Sequence, residues 1–223
     1  MFEPPKLEQT RPEQPKSAQP RTEQPRAERI CLFGGTFDPI HMAHLRIANE
    51  ALKAFALSRV LFVPAGNPPH KDGTVLTPFE DRFRMVEIAC APYPCFFPSG
   101  MEAGDEISYT INTLERFRER LKPGDELFFL IGADAFDELN TWKRWRDVIR
   151  LTDFIVVSRP GKDYMIPEGA RIHSLKGLDL PVSSSAVRSR LAAGEKVPEI
   201  PAEVREYIEQ RGLYREEQPA AIS

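Results

Sequence analysis

Nowhere in the 223 residues does an apolar run approach the roughly 18 residues that a membrane-crossing helix requires, so no such span is expected. The opening residues, MFEPPKLEQT, lack the basic and then apolar segments of a secretory leader, and a cytosolic protein is the expectation. Positive charge is not in excess: 30 Lys and Arg stand against 33 Asp and Glu, a formal net charge of −3. That balance disfavours a general nucleic-acid binder, which holds the phosphate backbone with surplus cations. Cysteine is scarce. Cys31, Cys90 and Cys95 form no CxxC pair of the kind used for zinc or redox work, and they read as buried thiols. The glycine pattern GxGxxG of dinucleotide sites and the GK[ST] of a P-loop are both missing.

What is present begins with a contrast. Residues 1–28 read as approximate pentads (EQTRP, EQPKS, AQPRT, EQPRA) rich in proline, glutamine and alternating, mutually cancelling charge. Such a segment has too little apolar surface to offset the entropy of ordering its backbone, so a disordered tail is expected there. Residues 29–214 form the expected folded body, followed by a polar end at 215–223. With 41% hydrophobic residues overall, the chain is long enough for one sizeable core.

Within the body, short apolar runs alternate with helical patterns. Strands are expected at 30–33, 59–64, 96–97, 127–131, 154–157 and 171–175, the fourth (LFFLI) apolar on both faces and therefore central. Helices are expected at 43–56, 77–89 (with Thr77 as cap and Pro78 in the first turn), 109–121, 184–193 capped by Ser183, and 202–210. This alternation defines a single doubly wound α/β domain with a mostly parallel sheet.

The most informative segment is Gly34-Gly35-Thr36-Phe37-Asp38-Pro39-Ile40-His41-Met42-Ala43-His44, directly after the first strand and running into a helix. Adjacent glycines allow a tight turn and close approach of backbone N–H groups, and a helix N-terminus favours phosphate. His41 and His44, three residues apart, share one face of the first turn. They predict an anion pocket with two imidazoles at its mouth; metal ligation is the rival reading. Ser183, Ser184 and Arg188 open a later helix with hydroxyls and a guanidinium, which suits either a departing anion or an ordinary capped helix. Asp134 follows the fourth strand at its carboxyl end, where it can cap a helix. Trp142 and Trp145 read as a core-facing pair or, for Trp142, as a ring that stacks on a base.

At GGTFDPIHMAHL the chain resembles the nucleotidyltransferases that carry an HxGH motif. The likeness continues through Asn67-Pro68-Pro69-His70-Lys71, Ser108-Tyr109-Thr110 ahead of Thr113-Leu114, Ile131-Gly132-Ala133-Asp134, Trp142 with Trp145, Arg159-Pro160-Gly161, VSSSAVR at 182–188 and the closing VREYIEQRGLY. In that order these are similar to the motifs of bacterial nicotinate mononucleotide adenylyltransferases. The resemblance implies a Rossmann-like domain joining nicotinate mononucleotide to the AMP part of ATP. The products would be nicotinate adenine dinucleotide and pyrophosphate, formed by direct in-line transfer with magnesium carried on the ATP phosphates rather than in a protein metal site. It further implies that His41, His44 and Arg188 do the catalytic work. ATP would lie against Gly34, Gly35, Thr36, Phe37, Gly132, Asp134, Ser183 and Ser184 as well. The mononucleotide would meet His70, Lys71, Thr110, Trp142 and the main chain at Lys143. The implied partners are these small molecules, with no nucleic acid or membrane.

Two positions depart from the motifs. Ala43 stands where the family has glycine, and Asn112 where it commonly has aspartate. Two rival functions remain open at this level: another HxGH enzyme such as phosphopantetheine adenylyltransferase, which is shorter and lacks the tryptophan segment, and a nucleotide sensor that binds without turnover.

Overall fold

A computed structural model describes residues 27–69, 76–104, 106–158, 164–177 and 182–215. Six strands, β1 (Arg29–Gly35), β2 (Arg59–Pro64), β3 (Phe96–Pro98), β4 (Glu126–Gly132), β5 (Asp153–Val157) and β6 (Ile172–Leu175), form one sheet in the order β3-β2-β1-β4-β5-β6. Every pairing is parallel. β1 and β4 are central, as the two-sided apolar character of LFFLI implies, and the strand order reverses between them. The expected tail lies outside the described residues apart from its end. There the N–H of Glu28 donates to Asp125 Oδ1 at 2.8 Å, which ties that end to the body.

Parallel strands need long crossovers, and here the crossovers are helical. α1 (Met42–Ala54), α2 (Phe79–Cys90), α6 (Ser184–Ala192) and α7 (Ala202–Arg211) cover one face, while α3 (Thr110–Arg118), α4 (Ala133–Asp137) and α5 (Trp145–Leu151) cover the other. Alternate side chains of one strand therefore enter different apolar layers. Cys31 and Phe33 of β1 join Phe128 and Leu130 of β4 on the α1 side. Ile30 and Leu32 join Leu127, Phe129 and Ile131 on the α3 side. The single domain expected from the sequence thus has its interior divided by the sheet. Each fully buried Leu, Ile, Val or Phe in these layers contributes about 1.5–3 kcal/mol.

The helices differ from expectation in instructive ways. Of the stripe that three- and four-residue spacing predicts, Leu45, Ala48, Leu52 and Phe55, the first two are buried and the last two half-buried against the same layer, with Ala51 buried beside them. α2 begins two residues late, with Pro78 rather than Thr77 at the N-cap. Thr77 is occupied elsewhere: its N–H donates to Asp38 Oδ2 at 3.4 Å and its carbonyl accepts Arg82 Nε at 2.8 Å. Ser183 does cap α6, its Oγ accepting the Ala186 N–H at 3.2 Å. The pieces α4, the 3₁₀ turn Leu139–Thr141 and α5 were not expected; each spans two turns or fewer, too short to display a helical period.

The turn after β2 approaches the segment before α3 so closely that a Cβ on Gly66 would lie 2.0 Å from the carbonyl oxygen of Glu102. No methyl fits without moving backbone. Gly66→Ala should therefore cost about 1–3 kcal/mol of stability, read as a lowered urea midpoint; an unchanged midpoint would show that this contact is loose.

Candidate active site

In an open α/β sheet the carboxyl ends of the strands form a crevice where the strand order reverses. A cleft of about 480 Å³ lies there, between the ends of β1 and β4. Gly34, Gly35, Thr36, Gly132, Thr110, Trp142 and Lys143 all line it, so seven residues singled out from distant stretches of sequence meet around one space. Its walls are largely aromatic and aliphatic, with Phe33, Val63, Phe129 and Ile131 alongside the Trp142 indole. Trp142 is set edge-on to Phe129, with ring centres 6.2 Å apart. Trp145, the other half of the pair, starts α5, and both indoles are half-buried against the same apolar layer. Arg144, between them, clamps this segment through Glu115 of α3 at 2.9 Å and Asp147 at 2.8 Å. Lys143 places its Nζ 4.0 Å from the centre of the Tyr109 ring, and within the described residues its main-chain N–H forms no hydrogen bond.

The glycine pair does not make the tight turn that the sequence suggested. Gly34 and Gly35 are the last residues of β1, where their lack of side chains admits the rings of Phe129 and Phe37; a Cβ would come within 3.1 and 3.0 Å of them. The turn follows, with Phe37 at φ 49° and a cis Asp38–Pro39 bond.

His41 is the N-cap of α1 and His44 lies in its first turn. Their rings stack with centres 3.7 Å apart, and His44 also meets Phe33 and Phe37 edge-on at 5.9 and 5.1 Å. The N–H of His41 donates to His44 Nδ1 at 3.2 Å. A neutral His44 therefore carries its proton on Nε2, where it serves as a donor. Burial lowers the His41 pKa from 6.5 to about 4. Burial, reinforced by the neighbouring His41, holds His44 well below the ordinary value. Both imidazoles are neutral donors at neutral pH rather than cations.

The imidazoles are not among the residues that line the cleft. The start of α1 is also less open to an anion than its position suggests, because the Met42 N–H donates to Glu199 O at 2.7 Å and the His44 N–H to His41 O at 2.9 Å. With the His41 amide held by His44, the side chains carry more of any anion contact than the main chain does.

Arg188, Ser184 and Ser183 gather on this second centre. Arg188 Nη1 donates to Asp38 O at 2.7 Å, and Ser184 Oγ to Pro39 O at 3.1 Å. Ser183 Oγ is committed to its cap. Asp134 is exposed in the first turn of α4, where Gly132 and not Asp134 is the N-cap, and it is not among the cleft walls. Phe37 is buried against His44. His70, Lys71 and the 159–161 motif lie outside the described residues. Ala43 is buried in the first turn of α1. Asn112 lines a small hollow with Glu106 and Arg116 that adjoins the cleft through Glu102, Ser108, Tyr109 and Thr113, and is not itself one of the cleft walls.

Three polar residues went unassigned in the sequence. Arg82, 1% exposed, donates to the carbonyls of Thr36 (2.8 Å), Ala65 (2.7 Å), Gly66 (3.2 Å) and Thr77 (2.8 Å), and so fastens the loops after β1 and β2 to α2. The signal was available, since Arg82 shares a helical stripe with Met85, Val86 and Ala89 and is a charge on a buried face. Glu102 lines the cleft and takes a hydroxyl donor from Thr113 at 2.5 Å. Burial raises the Glu102 pKa, while hydrogen bonds from Thr113 and Ser108 oppose the rise. Ser108 Oγ in turn accepts from Gly66 N–H (2.9 Å) and Asn67 N–H (3.1 Å). Asp38, 2% exposed, is the third, and its contacts are taken up below.

Comparisons with known proteins agree with this geometry. The cytidylyltransferase-like family model matches residues 32–190. A probable nicotinate-nucleotide adenylyltransferase of Solibacter usitatus is 50% identical over 186 residues, covering 83% of this chain and 99% of the relative. A protein with the same description from Pelobacter propionicus is 39% identical over 214 residues, covering 84% of this chain and 99% of its own length. A nicotinic acid mononucleotide adenylyltransferase of Plasmodium falciparum, solved with NaAD, shares the fold at a TM-score of 0.70 and 22% identity, over 84% of this chain and 97% of that one. A parallel sheet with this crevice and a paired-histidine turn thus places the chain in the cytidylyltransferase-like class of nucleotidyltransferases. Within that class it belongs to the nicotinate-nucleotide adenylyltransferase family. Among the described residues no helix is long and apolar enough to cross a membrane.

The depressed histidines have a consequence for stability. Between about 4 and 6.5 the unfolded chain binds a proton that folded His41 refuses, so stability rises with pH across that window. The thermal midpoint should fall as pH is lowered through it, and His41→Asn should flatten that part of the curve. A midpoint independent of pH over this range would mean that His41 is protonated when folded.

Proposed function

We propose that the chain transfers the adenylyl group of ATP to nicotinate mononucleotide, giving nicotinate adenine dinucleotide and pyrophosphate. The observation that carries this reading is the meeting, at the end of β1, of an aromatic cleft of about 480 Å³ with a turn bearing two neutral imidazoles and a guanidinium. The first suits a pyridine ring on a sugar phosphate, the second a triphosphate. In direct transfer a mononucleotide phosphate oxygen attacks the α-phosphorus of ATP as the bond to pyrophosphate breaks, and no protein nucleophile is needed. Positioning and charge stabilisation supply the catalysis.

In this reading His44 donates from Nε2 to the transferring phosphoryl group, with His41 stacked behind it and also in reach of phosphate. Arg188, with Ser183 and Ser184 at the start of α6, holds the departing pyrophosphate, and Asp134 serves the ATP ribose. Trp142 stacks on the pyridine ring, while Thr110 and the Lys143 N–H receive its carboxylate. A carboxamide would turn NH2 toward those donors, so the acid is preferred. Glu102 does not oppose this, since hydroxyl groups already donate to its carboxylate. Magnesium arrives as Mg-ATP. The triphosphate oxygens hold the ion in place of a protein donor set. A cytosolic site of action fits an enzyme fed by ATP and a free mononucleotide.

The test is pyrophosphate release with Mg-ATP against a panel of acceptor phosphates. Nicotinate mononucleotide should support release, at a kcat/KM well above that for the nicotinamide form; release with phosphopantetheine alone, or tight ATP binding with no release, would overturn the reading. His44→Ala should lower kcat by about two orders of magnitude, as loss of a transition-state donor does, with little change in mononucleotide binding. Trp142→Ala should instead raise KM for the mononucleotide. Loss of ATP affinity alone in both variants would show that these roles are misassigned.

A further inference from the structure

Asp38 is a buried carboxylate at the centre of the phosphate-side turn, and the contacts to it come from three separate parts of the chain. Tyr214, just beyond α7, donates its hydroxyl to Asp38 Oδ1 at 2.6 Å. Thr77, ahead of α2, donates its N–H to Oδ2 at 3.4 Å. Arg188 of α6 bonds the main-chain carbonyl of Asp38 at 2.7 Å while its Nη1 stands 4.0 Å from Oδ2, the outer limit of an ion pair. Its remaining contact among the described residues is a long one, from Nη2 to Ser185 Oγ at 3.4 Å. A guanidinium this near a buried carboxylate is expected to close on it, because charge-assisted bonds are the stronger ones. Here the tyrosine hydroxyl fixes the carboxylate through Oδ1, with Oδ2 left 4.0 Å from Arg188 Nη1. Burial and the adjacent Asp38 push the Tyr214 pKa far above its ordinary value, so the hydroxyl retains its proton and remains a donor.

We propose that Tyr214 is a positioning residue for Arg188: by anchoring the Asp38 carboxylate through Oδ1, its hydroxyl holds Oδ2 back from the guanidinium, which stays on a main-chain carbonyl and keeps its other N–H groups for the ATP phosphates. The inference rests on Arg188 as a phosphate ligand, as read above. Without the hydroxyl, Asp38 draws Arg188 into an ion pair and away from the nucleotide. The C-terminal end of the body thereby reaches into the ATP site without touching substrate.

The experiment measures binding of a non-hydrolysable ATP analogue by calorimetry, together with steady-state KM values, on the full chain. Tyr214→Phe should weaken analogue binding and raise KM for ATP by about tenfold, the scale of one hydrogen bond to a charged group, with KM for the mononucleotide unchanged. Arg188→Ala should also weaken binding, and adding Tyr214→Phe to it should cause no further loss, since the effect passes through Arg188. Tyr207→Phe is the control for loosened docking of α7. It removes a hydroxyl bonded to Asp81 Oδ1 at 2.7 Å, on the same helix but away from the turn, and should leave analogue binding unchanged. Additive losses in the double variant, unchanged binding in Tyr214→Phe, or equal weakening by Tyr207→Phe would each overturn the proposal. Wild-type chain that bound the analogue but released no pyrophosphate would overturn the adenylyl-transfer reading instead, and the binding comparison would still decide the role of Tyr214.

Discussion

The position of β1 is the constraint on which the rest depends. It is paired on both sides, with β2 and β4, and covered on both faces, so it has no freedom to shift in register without exposing Cys31, Leu32 and their neighbours. The cleft and the histidine-bearing turn meet at its carboxyl end. On one side the Gly34–Gly35 backbone borders the cleft that Trp142 and Lys143 close. On the other the chain turns through Asp38 into the two histidines. The separation between the aromatic cleft and the histidine-bearing turn is thus set by strand geometry.

The electrostatics are less simple than a cluster of histidine and arginine suggests. The imidazoles are neutral because burial penalises their charged forms, and for His44 the neighbouring His41 adds to that penalty. A neutral imidazole can donate a hydrogen bond without the cost of burying a charge. Arg82 shows the complementary solution. It is a permanent cation in the interior whose direct hydrogen bonds all go to main-chain carbonyls, so the charge organises two loops. Asp38, nearby, is stabilised by donors from elements remote in sequence. A small number of buried charged groups therefore connects the substrate turns to the helices behind them.

How much of this was legible in the sequence depends on how local each signal was. The parallel sheet, the central place of LFFLI and the stripe of α1 were readable because alternation and periodicity are properties of consecutive residues. The cleft was legible in part. The SYT and TWK motifs are separated by thirty or so positions, and it was family resemblance, not spacing, that brought Thr110, Trp142 and Lys143 to one wall. Three features were not legible. The short helical pieces between β4 and β5 carry no complete period. The engagement of the α1 amides depends on a carbonyl at Glu199, far along the chain. The partners of Asp38, Arg82 and Glu102 are set by packing between distant turns, and a single sequence contains no record of which polar side chain meets which carbonyl.

The sheet ends in two short margins. β3 has three residues and finishes in Pro98, which has no N–H to offer, and β6 at the opposite margin has four. A long, flat border of unpaired amides is the template on which foreign strands add and fibrils grow, and this architecture provides little of one. The apolar strands β1 and β4, whose sequences would be hazardous if exposed, are enclosed by neighbours on either flank. Resistance to aggregation is thereby built into the strand order itself: the most adhesive segments are the last to lose their partners when the molecule frays from its edges.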